Sequence, residues 1–517
     1  MNIKKLLLPL ILLTALLVRL WQFTAIALWH DEAFSALLIR MPFAEMMQRI
    51  ALDVHPPFYY WLLRAWAYLF GEALWSLRGF SVFFGVATVL MIYVFVKSLF
   101  GAKAEKLALA AAALLAVNPF HIQYSLEARM YTLGTFLIVL SSWLLVKALK
   151  TNQWRWWLFF ALLTAAEALT HYFLLFSIAG QGLFILIFWL KKYRPLFGGQ
   201  NLRWLWSLAI AGLLYLPWLP TFWKQFNQVQ ESYWIPKMDI WSVPTAVWKI
   251  LIGGWEGAPE RNLILASLAL LLLLAAYIWR QRSLLPSLPV FLSLVPFVLA
   301  VLVSLKTALF LDRYFIFAAV FIITVVAVAL LSHSRKIGAL FLTILMFASV
   351  ASYLKAWQRL DVENRPGMKG AANSLTGNDG GAWQMPKDPP DKVIVSSTFI
   401  YFSYQYYDYL NKNNAFRPAL DVPFPLFPPA AQLYLPGITS ISQLPHFSGT
   451  ALLSNQDLIG DLHNYGQPDE TIALLWTTGF GGSKPEVPAN WTQLDEKKFA
   501  DVFPHRGDIF VTKYLVK

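Results

Sequence analysis

Residues 29–78 hold five carboxylates (Asp31, Glu32, Glu45, Asp53 and Glu72) together with His30, His55 and Arg78, and a long apolar run lies on either side. Charge just outside a bilayer is readily solvated, and carboxylates rooted at its edge reach a substrate carried in lipid. Asp31 and Glu32 are adjacent. Neighbours on a helix point about 100° apart, so one carboxylate can face a substrate while the other orients a neighbour. The same pair also reads as ordinary solvated acids past a membrane exit. Asp53-Val54-His55-Pro56-Pro57 is more specific. Pro56 biases His55 towards an extended backbone, on which Asp53 and His55 project to the same side. The alternative is an Asp-capped turn beside an interfacial histidine. His30, Asp31, Asp53 and His55 are all acceptable ligand types for a divalent ion. Their spacing fixes no geometry, so a metal stays an open possibility and no cofactor is assigned.

Three arginines stand at places where a topology rule disfavours them. Arg78 opens an apolar span, Arg129 follows Glu127, and Arg313 follows Asp312. A charge within or at the edge of a membrane is costly and is a functional hypothesis by default. The guanidinium fork suits phosphate. For Arg129 and Arg313 the alternative is local pairing with Glu127 and Asp312. Arg78 has no acid next to it in sequence. His171, at the tip of a helical hairpin, reads as structural.

These residues need elements to hold them. The chain has 517 residues, 58% hydrophobic and only 14% charged, where a soluble domain carries roughly 25% charge. Most of it therefore sits in lipid. About eleven spans are expected, near 6–28, 79–100, 107–117, 130–149, 156–169, 172–190, 202–222, 263–279, 288–305, 314–331 and 337–354. They are read as helices, because only helices and closed barrels satisfy their backbone in lipid. The first run also resembles a secretory signal ending at Ala25-Ile26-Ala27, against which stand its length and Arg19. Threading the spans alternately puts Lys97, Lys106, Lys147, Lys150, Arg155, Arg203, Arg280, Arg335 and Lys336 on the side of the N-terminus. The positive-inside rule makes that side the cytoplasm. All acids of this part except Glu105 then fall at or near the outer side.

The net charge of +13 belongs to loops between spans, so it is topology information and excludes a nucleic-acid partner. With no cysteines, disulfides, thiolate metal sites and cysteine nucleophiles are excluded. Within the first outer loop, 55–70 is too short to cross and reads as an interfacial helix, with Pro57 in its first turn. Residues 225–260 form a second, Trp-rich outer excursion. After about residue 355 the composition turns to Pro, Gly, Asn and Asp, with a linker at 377–381. Strand-like runs follow at 392–398, 471–476 and 508–515. The expected architecture is a mainly α, polytopic membrane bundle (1–355) with a small α/β domain (356–517) on the outer face.

The order of these features resembles a known family. An Asp-Glu pair after the first span, then Asp53-Val54-His55-Pro56-Pro57, then Ser76-Leu77-Arg78-Gly79-Phe80-Ser81, is similar to the protein O-mannosyltransferases. It also resembles their bacterial relatives, the aminoarabinose transferase-like membrane glycosyltransferases of the GT-C fold. The stretch from Asn118-Pro119-Phe120-His121 to Glu127-Ala128-Arg129-Met130-Tyr131, and Asp312-Arg313-Tyr314-Phe315, look like the bacterial branch. The resemblance covers roughly residues 1–355. It implies a GT-C-like transferase that moves a sugar from a polyprenyl-phosphate donor, with inversion, to an extracytoplasmic acceptor: a lipid, a glycan or a protein. It further implies Asp31 as general base, Glu32 as its support, and Arg78 as the arginine those enzymes need. Arg129 and Arg313 would serve the lipid phosphate, with Asp53 and His55 also at the substrate. After Pro57 this chain has Phe58-Tyr59-Tyr60 in place of the eukaryotic glycine-lysine continuation, a departure from the enzymes that act on protein. Competing classes are a transporter or flippase of lipid-linked sugars, and a non-catalytic membrane scaffold for the outer domain.

Overall fold

In the computed structural model the described residues are 3–101, 104–192, 202–231, 235–253, 258–281, 283–333, 335–376, 389–413, 431–444, 450–463 and 465–517. The expected linker at 377–381 lies outside them. The chain divides into two compact units. The first comprises Met1–Trp21, His55–Tyr59 and Gly79–Ala356; the second comprises Gln22–Val54, Tyr60–Arg78 and Trp357–Lys517.

The first unit is helical. Each of the eleven expected spans is a helix. Among the described residues eight are long and apolar enough to cross a membrane, and the bent pair Glu105–Ala116 and Pro119–Ser125 makes a ninth if counted as one span. The other two are shorter. Trp154–Ala168 has 15 residues, about 22 Å at 1.5 Å per residue, against a hydrocarbon core of roughly 30 Å. The first helix, Ile3–Leu20, stops eight residues before the expected end of its span. Gln22 adopts a left-handed conformation (φ 53°), which breaks the helix, and the carbonyls of Phe23 and Ile26 are taken by Arg78.

Two helices form the middle of this unit. Of an 18-residue apolar stretch, 83% is buried in Asp312–Ser332 and 78% in Tyr131–Thr151, against 22% in each of Glu260–Arg280 and Arg335–Leu360. The outer helices point leucine and aromatic side chains outwards, as at Leu271, Leu272 and Trp279. That arrangement fits a lipid solvent as apolar as the protein interior.

The second unit is α/β. Its sheet has the order β3-β2-β1-β4-β6-β5, with β1 Lys392–Val395, β2 Gln432–Tyr434, β3 Leu458–Ile459, β4 Thr471–Thr477, β5 Trp491–Ala500 and β6 Asp508–Val516. The first four strands are parallel, and β6 pairs antiparallel with both β4 and β5. The sequence pattern finds β1, β4 and β6, although the first ends at Val395 and Thr398 already begins the helix Thr398–Asn413. It misses β2 and β3, which have only three and two residues, and β5, an edge strand that carries Asp495, Glu496, Lys497 and Lys498. Such charge is how exposed edges avoid further pairing. Gly367–Thr376 and Thr398–Asn413 pack together, and the latter also packs on His30–Leu38. The interfacial segment is the helix Phe58–Phe70. It starts one residue after Pro57, with the Phe58 N–H donated to the Leu169 carbonyl (2.9 Å).

Candidate functional site

In the second unit, Asp31 and Glu32 occupy the first turn of the helix His30–Leu38. Carboxylates there are favoured by the positive end of the helix dipole. Glu32 is fully buried and accepts a forked pair from Arg78, Nε to Oε1 at 2.9 Å and Nη2 to Oε2 at 2.8 Å. Arg78 Nη1 donates to the carbonyls of Phe23 and Ile26 at 2.8 and 2.9 Å. The guanidinium thus fastens the turn that leads into the helix onto the helix's own carboxylate. The acid partner that Arg78 lacks in its neighbourhood of sequence lies 46 positions away.

Asp31 is half-buried, and the helical step aims it away from the Glu32 pair. Its neighbours are held from several sides. Leu28 N–H donates to the Tyr407 hydroxyl at 2.8 Å, and Arg506 lies 4.9 Å from the Trp29 ring centre. His30 is buried, its Nδ1 3.1 Å from the Thr398 carbonyl and its ring against Phe399 and Phe402. Asp53 follows the helix Phe43–Leu52 and is buried, its own backbone extended (φ −85°, ψ −161°), and the chain bends at 53–55 where an extended run to His55 was expected. A second buried ion pair braces the same loop. Arg40 Nε stands 3.1 Å from Glu72 Oε2, the guanidinium lies 3.2 Å over the Tyr409 ring, and the Tyr406 hydroxyl donates to the Glu72 carbonyl at 3.1 Å. Burial pulls the Arg40 pKa below its ordinary value and Glu72 opposes that shift. Among the described residues no group of three or more His, Cys, Asp or Glu is placed to hold a metal ion.

In the first unit, His55 and Arg129 meet, with Nη2 3.3 Å from the His55 Nε2, and both are buried. The His55 ring packs edge-on against His171, 5.8 Å between centres. His171 in turn packs on Tyr131, Tyr314 and Phe317. Its Nδ1 accepts from the Phe173 N–H at 3.1 Å, which puts the proton of the neutral ring on Nε2. Burial first, then His55, Arg129 and Arg313, push the His171 pKa well below the usual imidazole value. The result is a neutral imidazole close to Arg129 and Arg313. Arg313 is half-buried, and the carboxylate of its neighbour Asp312 accepts from Lys249.

Residues 54–220 match the family model described as dolichyl-phosphate-mannose-protein mannosyltransferase. No curated protein matches the chain. Among solved structures, ArnT from Cupriavidus metallidurans bound to undecaprenyl phosphate is similar over 97% of this chain and 97% of its own, at 13% identity and a TM-score of 0.61. The apo state of ArnT from the same organism is similar over 97% of both chains, at 14% identity and a TM-score of 0.57. This chain has the ArnT-like GT-C fold.

The segment matched to the mannosyltransferase model contains His55, Arg78, Arg129 and His171, while Asp31, Glu32 and Arg313 lie outside it. Within the GT-C fold, Asn118-Pro119 is a helix start: Asn118 caps Pro119–Ser125 by accepting from the His121 N–H at 3.0 Å, with proline in the first turn. The Asn118 amide also donates to the Ile250 carbonyl at 2.8 Å. His121 and Ser125 are explained by Arg19, which sequence reading treats only as an interruption. Arg19 is fully buried and reaches His121 Nδ1 (2.7 Å), Ser125 Oγ (3.1 Å) and the Ala116 carbonyl (2.9 Å). Gly85 makes room, since a Cβ there would stand 2.5 Å from Ser125 Oγ. Gly253 (φ +83°) does the same for Pro119. Glu72 stands out in the sequence as one of the loop's carboxylates, but nothing in the sequence points to Arg40, 32 positions earlier, as its partner.

Proposed function

We propose that the protein is a membrane glycosyltransferase that moves a sugar from a polyprenyl-phosphate donor to an extracytoplasmic acceptor, inverting the anomeric centre. The observation that carries this reading is the division of labour on one helical turn. Glu32 is consumed by Arg78, while its neighbour Asp31 sits half-exposed on a segment immobilised at Leu28, Trp29, His30 and Glu32. A general base needs such fixed geometry, and correct placement accounts for much of enzymatic rate. Asp31 takes the proton of the acceptor hydroxyl. The acceptor oxygen forms its bond to the anomeric carbon from the face opposite the phosphate, and the carbon–oxygen bond to phosphate breaks, its electron pair leaving on polyprenyl phosphate. Arg129 and His55, with Arg313, are assigned to that anion, whose growing charge cationic donors stabilise. Asp53 is assigned to substrate orientation, and Arg78 with Glu32 to holding the helix.

The ArnT-like fold and the mannosyltransferase match support this chemistry. In the same reading the chain is a multi-pass protein of the cell membrane with a cytoplasmic N-terminus and the α/β unit outside, as the distribution of lysine and arginine indicates. The test is to incubate the reconstituted protein with a panel of labelled polyprenyl-phosphate sugars. The proposal expects one glycosylated product per free polyprenyl phosphate released, with the opposite anomeric configuration. Movement of intact donor across the bilayer, with no cleavage of any donor tested, would overturn it in favour of a flippase.

A further inference from the structure

A cavity of about 480 Å³ lies far along the helices Leu74–Phe100 and Tyr131–Thr151, at the face assigned to the cytoplasm. Lys97, Lys147 and Lys150 line it together with Tyr93, Val94 and Trp143. Nothing in the proposed transfer reaction uses it. The surrounding charges are unbalanced. Lys97 is engaged by Glu105 (2.8 Å) and Tyr93 (3.1 Å), so the one carboxylate described there is already matched. Lys147 lies 5.6 Å from the Trp143 ring centre, and Lys150 donates to the Ser98 carbonyl near the end of its neighbouring helix. Two further ammonium groups, one turn apart on one helix, therefore face the same cavity, and an anion would relieve that excess.

The walls say what kind of anion. Tyr93, Val94 and Lys97 share a helix face with Leu90 and Phe83, since residues three, four and seven apart stack along one side. Leu90 and Phe83 are exposed on the lipid-facing surface. Trp143, Lys147 and Lys150 form the matching stripe on the other helix. An apolar track thus runs from the bilayer into a lysine-lined end.

We propose that this cavity holds the phosphate of an anionic glycerophospholipid of the inner leaflet, with an acyl chain along the Phe83–Leu90 track. Basic pockets among membrane helices on the cytoplasmic side bind such headgroups. The inference rests on the orientation given above and not on catalysis, and its test reads binding alone.

The experiment is native mass spectrometry of the detergent-purified full chain with phosphatidylglycerol or phosphatidylcholine of identical acyl chains. It is repeated in the presence of inorganic phosphate. One retained phosphatidylglycerol, preferred over phosphatidylcholine by about 10- to 30-fold, is the expected result for two lysines near a headgroup. The double variant Lys147→Gln/Lys150→Gln loses that preference, and Lys355→Gln, on another helix, keeps it. Because Lys150 also caps a helix end, Lys147→Gln alone is measured too and is expected to lower the preference several-fold with an unchanged unfolding midpoint. Equal retention of both lipids, or an undiminished preference in both lysine variants, would overturn the proposal. Displacement by millimolar inorganic phosphate would overturn it as well, and would make this a site for free phosphate.

Discussion

Replacing Arg78 by methionine removes the guanidinium fork from a fully buried Glu32 carboxylate and releases the Phe23 and Ile26 carbonyls. Breaking one half of a buried ion pair typically costs about 3–5 kcal/mol. Arg78→Met should therefore lower the thermal unfolding midpoint in detergent markedly, and activity should fall with it. Asp31→Asn removes a half-exposed carboxylate at nearly constant shape and should lower that midpoint far less than Arg78→Met does. The two variants separate a residue that holds the site from one that acts in it. His171 gives a prediction with a pH sign. Its folded-state pKa lies well below the ordinary imidazole value of 6.5, so below that pH the unfolded chain binds a proton that the native protein refuses. Stability rises with pH wherever the unfolded state binds more protons. The unfolding midpoint should accordingly drop as pH falls below about 6.5, and His171→Phe should flatten the slope. A slope identical in the variant would show that another group causes it.

At the scale of elements, the helix Thr398–Asn413 does two jobs. Its Thr398 carbonyl and its Phe399 and Phe402 rings hold His30, and its Tyr407 hydroxyl receives the Leu28 N–H. The start of the Asp31 helix is therefore set by residues almost 400 positions later. Tyr407→Phe deletes one hydrogen bond, worth about 1 kcal/mol, and should reduce kcat with little change in KM, because the base loosens while substrate contacts stay. A rise in KM at constant kcat would place Tyr407 in substrate binding instead. The Asn118-Pro119 start shows local chemistry doing what it does in any protein, an Asn cap followed by proline. Its neighbours His121 and Ser125 make sense only once Arg19 is seen to reach them.

At the scale of the molecule, helices and their type were legible because a bilayer admits so few structures and twenty apolar residues leave a plain trace. All eleven expected runs are helices, yet run length misjudged ends where a side chain overrode hydropathy. The run 6–28 stays apolar to its end, but Gln22 turns left-handed and Arg78 takes the carbonyls beyond it. The strand β5 escaped because charge, not alternation, marks an exposed edge. Of the candidate site, Asp31, Glu32, His55, Arg78 and Arg129 could be singled out because their types are rare beside lipid. Their partners could not. Glu32 with Arg78, Arg40 with Glu72, and His55 with Arg129 and His171 are long-range meetings that no spacing encodes.

The most direct test of the account is the single-turnover release of free polyprenyl phosphate from a labelled donor in proteoliposomes, wild type against Asp31→Asn. The account predicts a fall of about 10²- to 10⁴-fold, the usual worth of a general base, in a protein that still folds and binds donor. Release at the wild-type rate from the Asp31→Asn protein would contradict it.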